Sequence, residues 1–182
     1  MLILYFRNVS EVNTKGLSFE IDKLTNSIEN IETSEIFETV ITQLTLKDKS
    51  LIKKMDWQFN WHNELKDSTK LIFKLSTSNN PTIVQGLLSI EDKNDHIYLH
   101  LIESAKFNKG KQKIYLGVAG NLVAFSCKVS FEKGYDGFVA FDAKTSLIKH
   151  YQETLLATHF RGLRMYIESK AADRLIKQYF KN

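Results

Sequence analysis

Lys109, Lys111 and Lys113 crowd a stretch that reaches Gly117-Val118-Ala119-Gly120 and runs straight into an apolar helix. Positive charge and bare backbone before a helix start suit one of two purposes. One is structural, a solvated turn with a glycine start to the helix. The other is anion binding. Free N–H groups and the positive end of the helix dipole receive a phosphate, and glycine and alanine leave its approach open. The loop residues alone leave both readings standing.

The remaining reactive side chains form no strong constellation. His96 and His100 share a strand face, but their separation spans about 13 Å, too far for one ion. The five histidines show no close ligand spacing, so no metal is expected. Cys127 falls mid-helix among Val123, Phe131 and other apolar residues, which suits a small core residue better than a nucleophile. No Gly-x-Ser-x-Gly elbow and no Walker loop is present.

The chain has 182 residues, enough for one domain with a proper core and short for two. Twelve Phe, seven Tyr and two Trp supply that core. The formal charge of +4 is spread along the chain, so a nucleic-acid partner is not indicated, while anionic ligands are tolerated. One cysteine allows no disulfide within the chain and suits a reducing, cytoplasmic setting. The N-terminal run "MLILYF" lacks a preceding basic region and reads as a strand rather than a signal peptide. No apolar run approaches the roughly 18 residues of a membrane span.

These residues need elements to hold them. "LILYF" and "LSFEID" read as strands, as does "EIFETVITQL" with its β-branched residues. "TLKDKSLIKKM" reads as a short helix capped by Thr45. In "WQFNWH", Trp57, Phe59 and Trp61 alternate with polar residues, which predicts a strand with its aromatics on one, core-facing side. Strands from Lys70, Thr82 and His96, joined by short turn-rich connections, predict an antiparallel meander. A helix over 118–133 follows, then a buried strand from Gly137, an amphipathic helix capped by Thr145, a strand from Arg164 and a final helix capped by Ser169. The 118–133 helix is a crossover, so the strands at 96 and 137 should run parallel.

This element order resembles the GCN5-related N-acetyltransferase (GNAT) family. The family's pyrophosphate motif, Q/R-x-x-G-x-G/A, falls on Ile114 to Ala119: Gly117 and Ala119 match, and Ile114 stands where Gln or Arg is usual. "HYQETLLATHF" places Tyr151 where the family often carries a tyrosine in a "YxxxGF" pattern, without the glycine. The resemblance covers about 70–168. It implies an α/β (α+β) fold with a mixed, mostly antiparallel sheet, helices on both faces, and a V-shaped splay between strands at about 96–104 and 137–143. One GNAT-like domain is expected, with a divergent part at 1–65, a core at 66–168 and a C-terminal helix at 169–182.

The resemblance further implies acetyl-CoA as co-substrate, held by Leu101, Ile102, Glu103, Lys111, Lys113, Tyr115, Leu116, Gly117, Val118, Ala119, Gly120 and Asn121. Lys109 would add charge near the phosphates. Tyr151 would protonate the departing thiolate, and Glu103 would take the proton of an amine, with His100 and His62 as alternatives. Direct attack with water relaying the proton would need no dedicated base. The acceptor would be a small molecule or a protein amine, and the last helix offers a homodimer contact. The competing reading is a catalytically inactive module on the same fold, binding a protein or nucleic-acid partner. Ile114 and the helical C-terminus favour that reading.

Overall fold

Lys70–Thr77 (β4), Gly86–Asp92 (β5) and Ile97–Ser104 (β6) pair antiparallel as the short connections dictate. The structure is a computed structural model and describes Leu17 and residues 27–180. Before these strands come Ile28–Asn30 (β1), Ile36–Phe37 (β2) and Thr39–Leu44 (β3), and β3 pairs with β4. After them come Tyr115–Leu116 (β7), Val139–Asp142 (β8), Thr158–Arg161 (β9) and Arg164–Ile167 (β10). The main sheet has seven strands in the order β3-β4-β5-β6-β8-β10-β9, and only the β6–β8 pair is parallel. That parallel pair is the one joined by the crossover helix Val118–Glu132.

Two clusters cover the two sheet faces. Phe73, Leu75, Leu88, Ile90, Leu99 and Ile102 pack with the crossover helix on one side. Leu44, Ile72 and Leu87 pack with Ile52, Trp57 and Trp61 on the other. Among the described residues the α-helices are Trp61–Glu64 (α1), Val118–Glu132 (α2), Ile148–Leu155 (α3) and Ser169–Tyr179 (α4).

A β-bulge explains the splay. On β6, Leu101 pairs with Ser89 and Leu99 pairs with Ile90, so His100 is the extra residue. A bulge bends its strand and raises the local twist. The β6–β8 ladder runs from Ile97↔Val139 to Leu99↔Phe141 and ends there, one residue before the bulge. The bulge also reverses which backbone groups face the gap. Ala105 N–H donates to Gln85 O, so by alternation 101 and 103 face β5, while Ile102 and Ser104 face the gap. On the opposite wall, Leu17 N–H donates to Asp142 O at 2.5 Å and Leu17 O accepts from Lys144 N–H at 3.0 Å. These groups lie on the edge of β8 that β6 has left, because Phe138 O on the same edge bonds Ile97 N–H.

Several expectations are corrected. "WQFNWH" is no strand: Trp57 and Trp61 are buried as the alternation predicts, but the segment is a loop entering α1. The N–H groups of Gln58 and Phe59 bond the Glu103 carboxylate instead of a neighbouring strand. The 45–51 segment is a 3-10 turn, in which the Asp48 carboxylate accepts from both Thr45 N–H and Thr45 Oγ1. α3 is entered through a 3-10 turn over Thr145–Leu147 whose cap is Lys144, and α4 is capped by Glu168 rather than Ser169. β9 was not foreseen. It pairs with β10 as a hairpin before the final helix. "LILYF", and "LSFEID" apart from Leu17, lie outside the described residues.

The last helix is part of the same core. Leu175 and Tyr179 are buried, and Tyr179 packs directly on the first turn of α2. A Cβ at Gly120 would meet the Tyr179 hydroxyl at 1.8 Å. Gly120→Ala is therefore expected to destabilise by about 1–3 kcal/mol through overpacking, despite alanine's better helix propensity. In a Tyr179→Leu background the same substitution should become stabilising, which urea unfolding of the four proteins would show.

At the far end of α2, the Asp92 carboxylate bonds Lys133 at 2.8 Å, Asn94 N–H and the Tyr135 hydroxyl. The Lys133 ammonium first, then the Asn94 N–H, hold its pKa down at about 2. A depressed carboxylate stabilises fully above its unfolded value near 3.8 and loses that contribution as pH falls through about 2. Asp92→Asn should flatten the acid limb of stability between those values and leave the neutral-to-basic profile parallel to the parent, as read by unfolding midpoints across pH.

Candidate functional site

A cleft of about 420 Å³ opens where β6 leaves β8. Ile102, Glu103 and Ser104 form its floor, Val118 and Ala119 of α2 one end, and Lys109, Gly110 and Lys113 the rim. Gln58 and Phe59 close one side, and Lys144, Ser146 and Leu147, just after β8, the other. A volume of this order suits a small-molecule or cofactor site.

Gly117 makes the α2 end of the cleft possible. It caps the helix with φ 87°, a left-handed conformation that costs a side-chain-bearing residue strain. Its carbonyl accepts the first helical bond, from Asn121 N–H. The N–H groups of the first turn then have no partners within the helix, and Ala119 puts only a methyl group over them. The rim is anchored too. Asn108 is buried, its Nδ2 donating to Gln85 O and Oε1 and its Oδ1 accepting from Tyr115 N–H. The loop's lysines are thus presented from a fixed base.

The cofactor residues expected from the sequence divide in two. Ile102, Glu103, Lys113, Val118 and Ala119 line the cleft, with Lys109. Leu101 turns its side chain to the second core cluster and its backbone to Ser89. Tyr115 and Leu116 pair with β1, and the Tyr115 ring stands edge-on to Phe37. Gly120 faces Tyr179, and Asn121 is buried with its Nδ2 donating to Thr39 Oγ1. Lys111 is exposed and is not among the lining residues. Ile114, at the motif's unmatched position, exposes its side chain while its N–H donates to Phe107 O.

The two residues expected to do the proton chemistry sit differently from that expectation. The Glu103 side chain is 1 % exposed and accepts four bonds: Gln58 N–H at 2.7 Å, Phe59 N–H at 3.2 Å, Trp61 Nε1 at 2.8 Å and Lys109 Nζ at 2.7 Å. Oε1 is engaged by Gln58 and Lys109 and Oε2 by Phe59 and Trp61, so neither oxygen is left without a protein donor. Tyr151 is fully buried, edge-on to Phe141, and is not among the residues lining the cleft. Of the alternatives, His62 Nε2 bonds Ile52 O and His100 Nε2 bonds Glu91. Burial pulls the His100 imidazole below its usual value, against the opposing pull of Glu91.

Reading the sequence missed Gln58, Lys144 and Ser146, and offered Phe59 only as part of an aromatic face that could line an acceptor pocket if exposed. Gln58 and Phe59 were assigned to a strand. Lys144 and Ser146 adjoin the helix start at Thr145 and carry no motif. Among the described residues no group of three His, Cys, Asp or Glu could hold a metal ion. None of their helices is long and apolar enough to cross a membrane. Burial pushes the Cys127 thiol pKa well up.

A bulged central strand, a splay beyond it and a helix N-terminus at the opening form one arrangement, within a fold that resembles those of solved structures. AtaTR bound with acetyl-CoA superposes at TM-score 0.53 and 15 % identity, over 76 % of this chain and 98 % of that one. The chain has the GCN5-related N-acetyltransferase fold. A mutant of the AtaT toxin, bound to the C-terminus of the antitoxin AtaR and to acetyl-CoA, matches at TM-score 0.51 and 14 % identity, over 78 % of this chain and 99 % of that one. No family model matches the sequence, and no curated protein matches it. β9 and β10 form a hairpin, and the last helix follows it.

Proposed function

We propose that the chain is an acetyl-CoA-dependent N-acetyltransferase whose co-substrate lies in the cleft between β6 and β8. The observation that carries this reading is the coincidence of three features in one cleft: the free edge of β6 at Ile102 and Ser104, the first turn of α2 at Val118–Ala119, and the ammonium groups of Lys109, Lys113 and Lys144. Acetyl-CoA supplies an activated thioester carbonyl, open to direct attack by an amine without a covalent enzyme intermediate. The α2 N-terminus and the lysines hold phosphate oxygens by N–H donation and charge. Ile102 and Ser104 offer backbone groups to the pantetheine arm as a neighbouring strand would.

Among the described residues lining the cleft, Glu103 is the one carboxylate and none is a histidine, and Glu103 is already held by four donors. The amine proton therefore passes to water in this reading. Release of free thiol from acetyl-CoA, measured with a panel of small amines and lysine- or N-terminal-amine peptides, tests the activity. Turnover with one acceptor class is the expected result, and thiol release no faster than without protein for every class would count against it. Tyr151→Phe should keep thiol release within about twofold of the parent. A drop of tenfold or more would restore the phenol as the proton donor.

A further inference from the structure

The four donors on Glu103 come from two walls of the cleft. Gln58 N–H, Phe59 N–H and Trp61 Nε1 belong to the 57–61 wall, and Lys109 Nζ belongs to the basic rim. Three of them are backbone amides or a buried indole, fixed in place. The fourth ends a flexible stem, and its side chain is 37 % exposed. Only Lys109 can leave the carboxylate without moving backbone. Lys109 also lines the cleft, where an anion would compete with Glu103 for the same ammonium.

Resting on the acetyl-CoA reading above, we infer that Glu103 is a positioning residue that couples the two walls. A phosphate-bearing ligand draws Lys109 off the carboxylate, and the carboxylate charge then falls wholly on the three donors of the 57–61 wall. Charge-assisted bonds to N–H groups shorten and strengthen when a competing cation departs. The wall beside the acyl end of the cleft is thereby set by occupancy of its phosphate end. Coupling of this kind is reciprocal, so an acceptor that orders the wall tightens the hold on the carrier.

Trp61 reports the event directly, because its indole N–H is one of the three donors and the chain has only two tryptophans. The probe is coenzyme A. Its binding is followed by calorimetry and by the two indole N–H resonances in a nitrogen-15 correlation spectrum, with Trp57→Phe used for assignment. Saturating coenzyme A is expected to move the Trp61 resonance with the calorimetric Kd. In Lys109→Met that resonance should already be displaced in the free protein, and coenzyme A should move it by less than about half as much, with affinity weakened roughly three- to tenfold. Lys109→Arg should restore the parent behaviour. A Trp61 resonance unmoved in the saturated protein, or an equal shift in Lys109→Met, overturns the inference alone. No binding of coenzyme A by calorimetry overturns the acetyl-CoA reading and this inference with it.

Discussion

Ala119→Glu is expected to weaken acetyl-CoA binding at least ~100-fold while the chain stays folded at the titration temperature. Ala119 lies on the first turn of α2 and lines the cleft. A carboxylate there suits the helix, since negative charge near a helix N-terminus stabilises it by about 0.3–1 kcal/mol. The same position is where the proposed site would receive phosphate oxygens. Two like charges 4 Å apart repel by about 4 kcal/mol at an effective dielectric constant near 20, well beyond what the helix gains. Calorimetry and a melting curve on the same sample separate the two effects. Affinity within about threefold of the parent would place the phosphates elsewhere, and a chain unfolded at the titration temperature would make the loss one of folding.

Glu103→Ala is expected to cost about 3–5 kcal/mol of stability, the range for removing one partner of a buried charged pair. The carboxylate bonds the N–H groups of Gln58 and Phe59 and the indole of Trp61, which is 1 % exposed. With alanine those donors lose their acceptor in a place water does not easily reach. Lys109→Met should cost less, because Gln58 N–H, Phe59 N–H and the Trp61 indole still hold the buried carboxylate it leaves behind. Urea midpoints of the two variants give the comparison. A Glu103→Ala loss below about 1 kcal/mol would mean that the 57–61 wall is held by its packing on Ile52 and Leu87 and not by the carboxylate.

Much of the architecture was legible because burial leaves a pattern. The runs read as strands from Lys70, Thr82 and His96 contain β4, β5 and β6, the second of which begins only at Gly86, and the crossover helix fixes the parallel β6–β8 pair. β9 was invisible for the opposite reason: Thr158 to Arg161 are all exposed on an edge strand, so no face imposes a period. "WQFNWH" gave the correct burial and the wrong element, because its backbone donors find a side-chain acceptor more than forty residues away in sequence. The bulge at His100 needed no glycine and left no mark in the sequence. It nevertheless decides which residues of β6 offer their backbone to the cleft, and so why Leu101 and Glu103 turn theirs to β5 while Ile102 keeps its place and Ser104 joins it.

Within the site, the glycine–alanine turn and two of the three lining lysines, Lys109 and Lys113, were readable from local sequence. The fate of Glu103 was not, since its four donors come from 58, 59, 61 and 109 and meet only in the folded chain. Sequence supplied a carboxylate at a strand end, and the structure shows it fully engaged.

Calorimetric titration of the full chain with acetyl-CoA is the most direct test of the central claim that the splayed cleft is a co-substrate site. One-to-one saturable binding, abolished by Ala119→Glu, is the expected result. No heat of binding up to millimolar acetyl-CoA would contradict it.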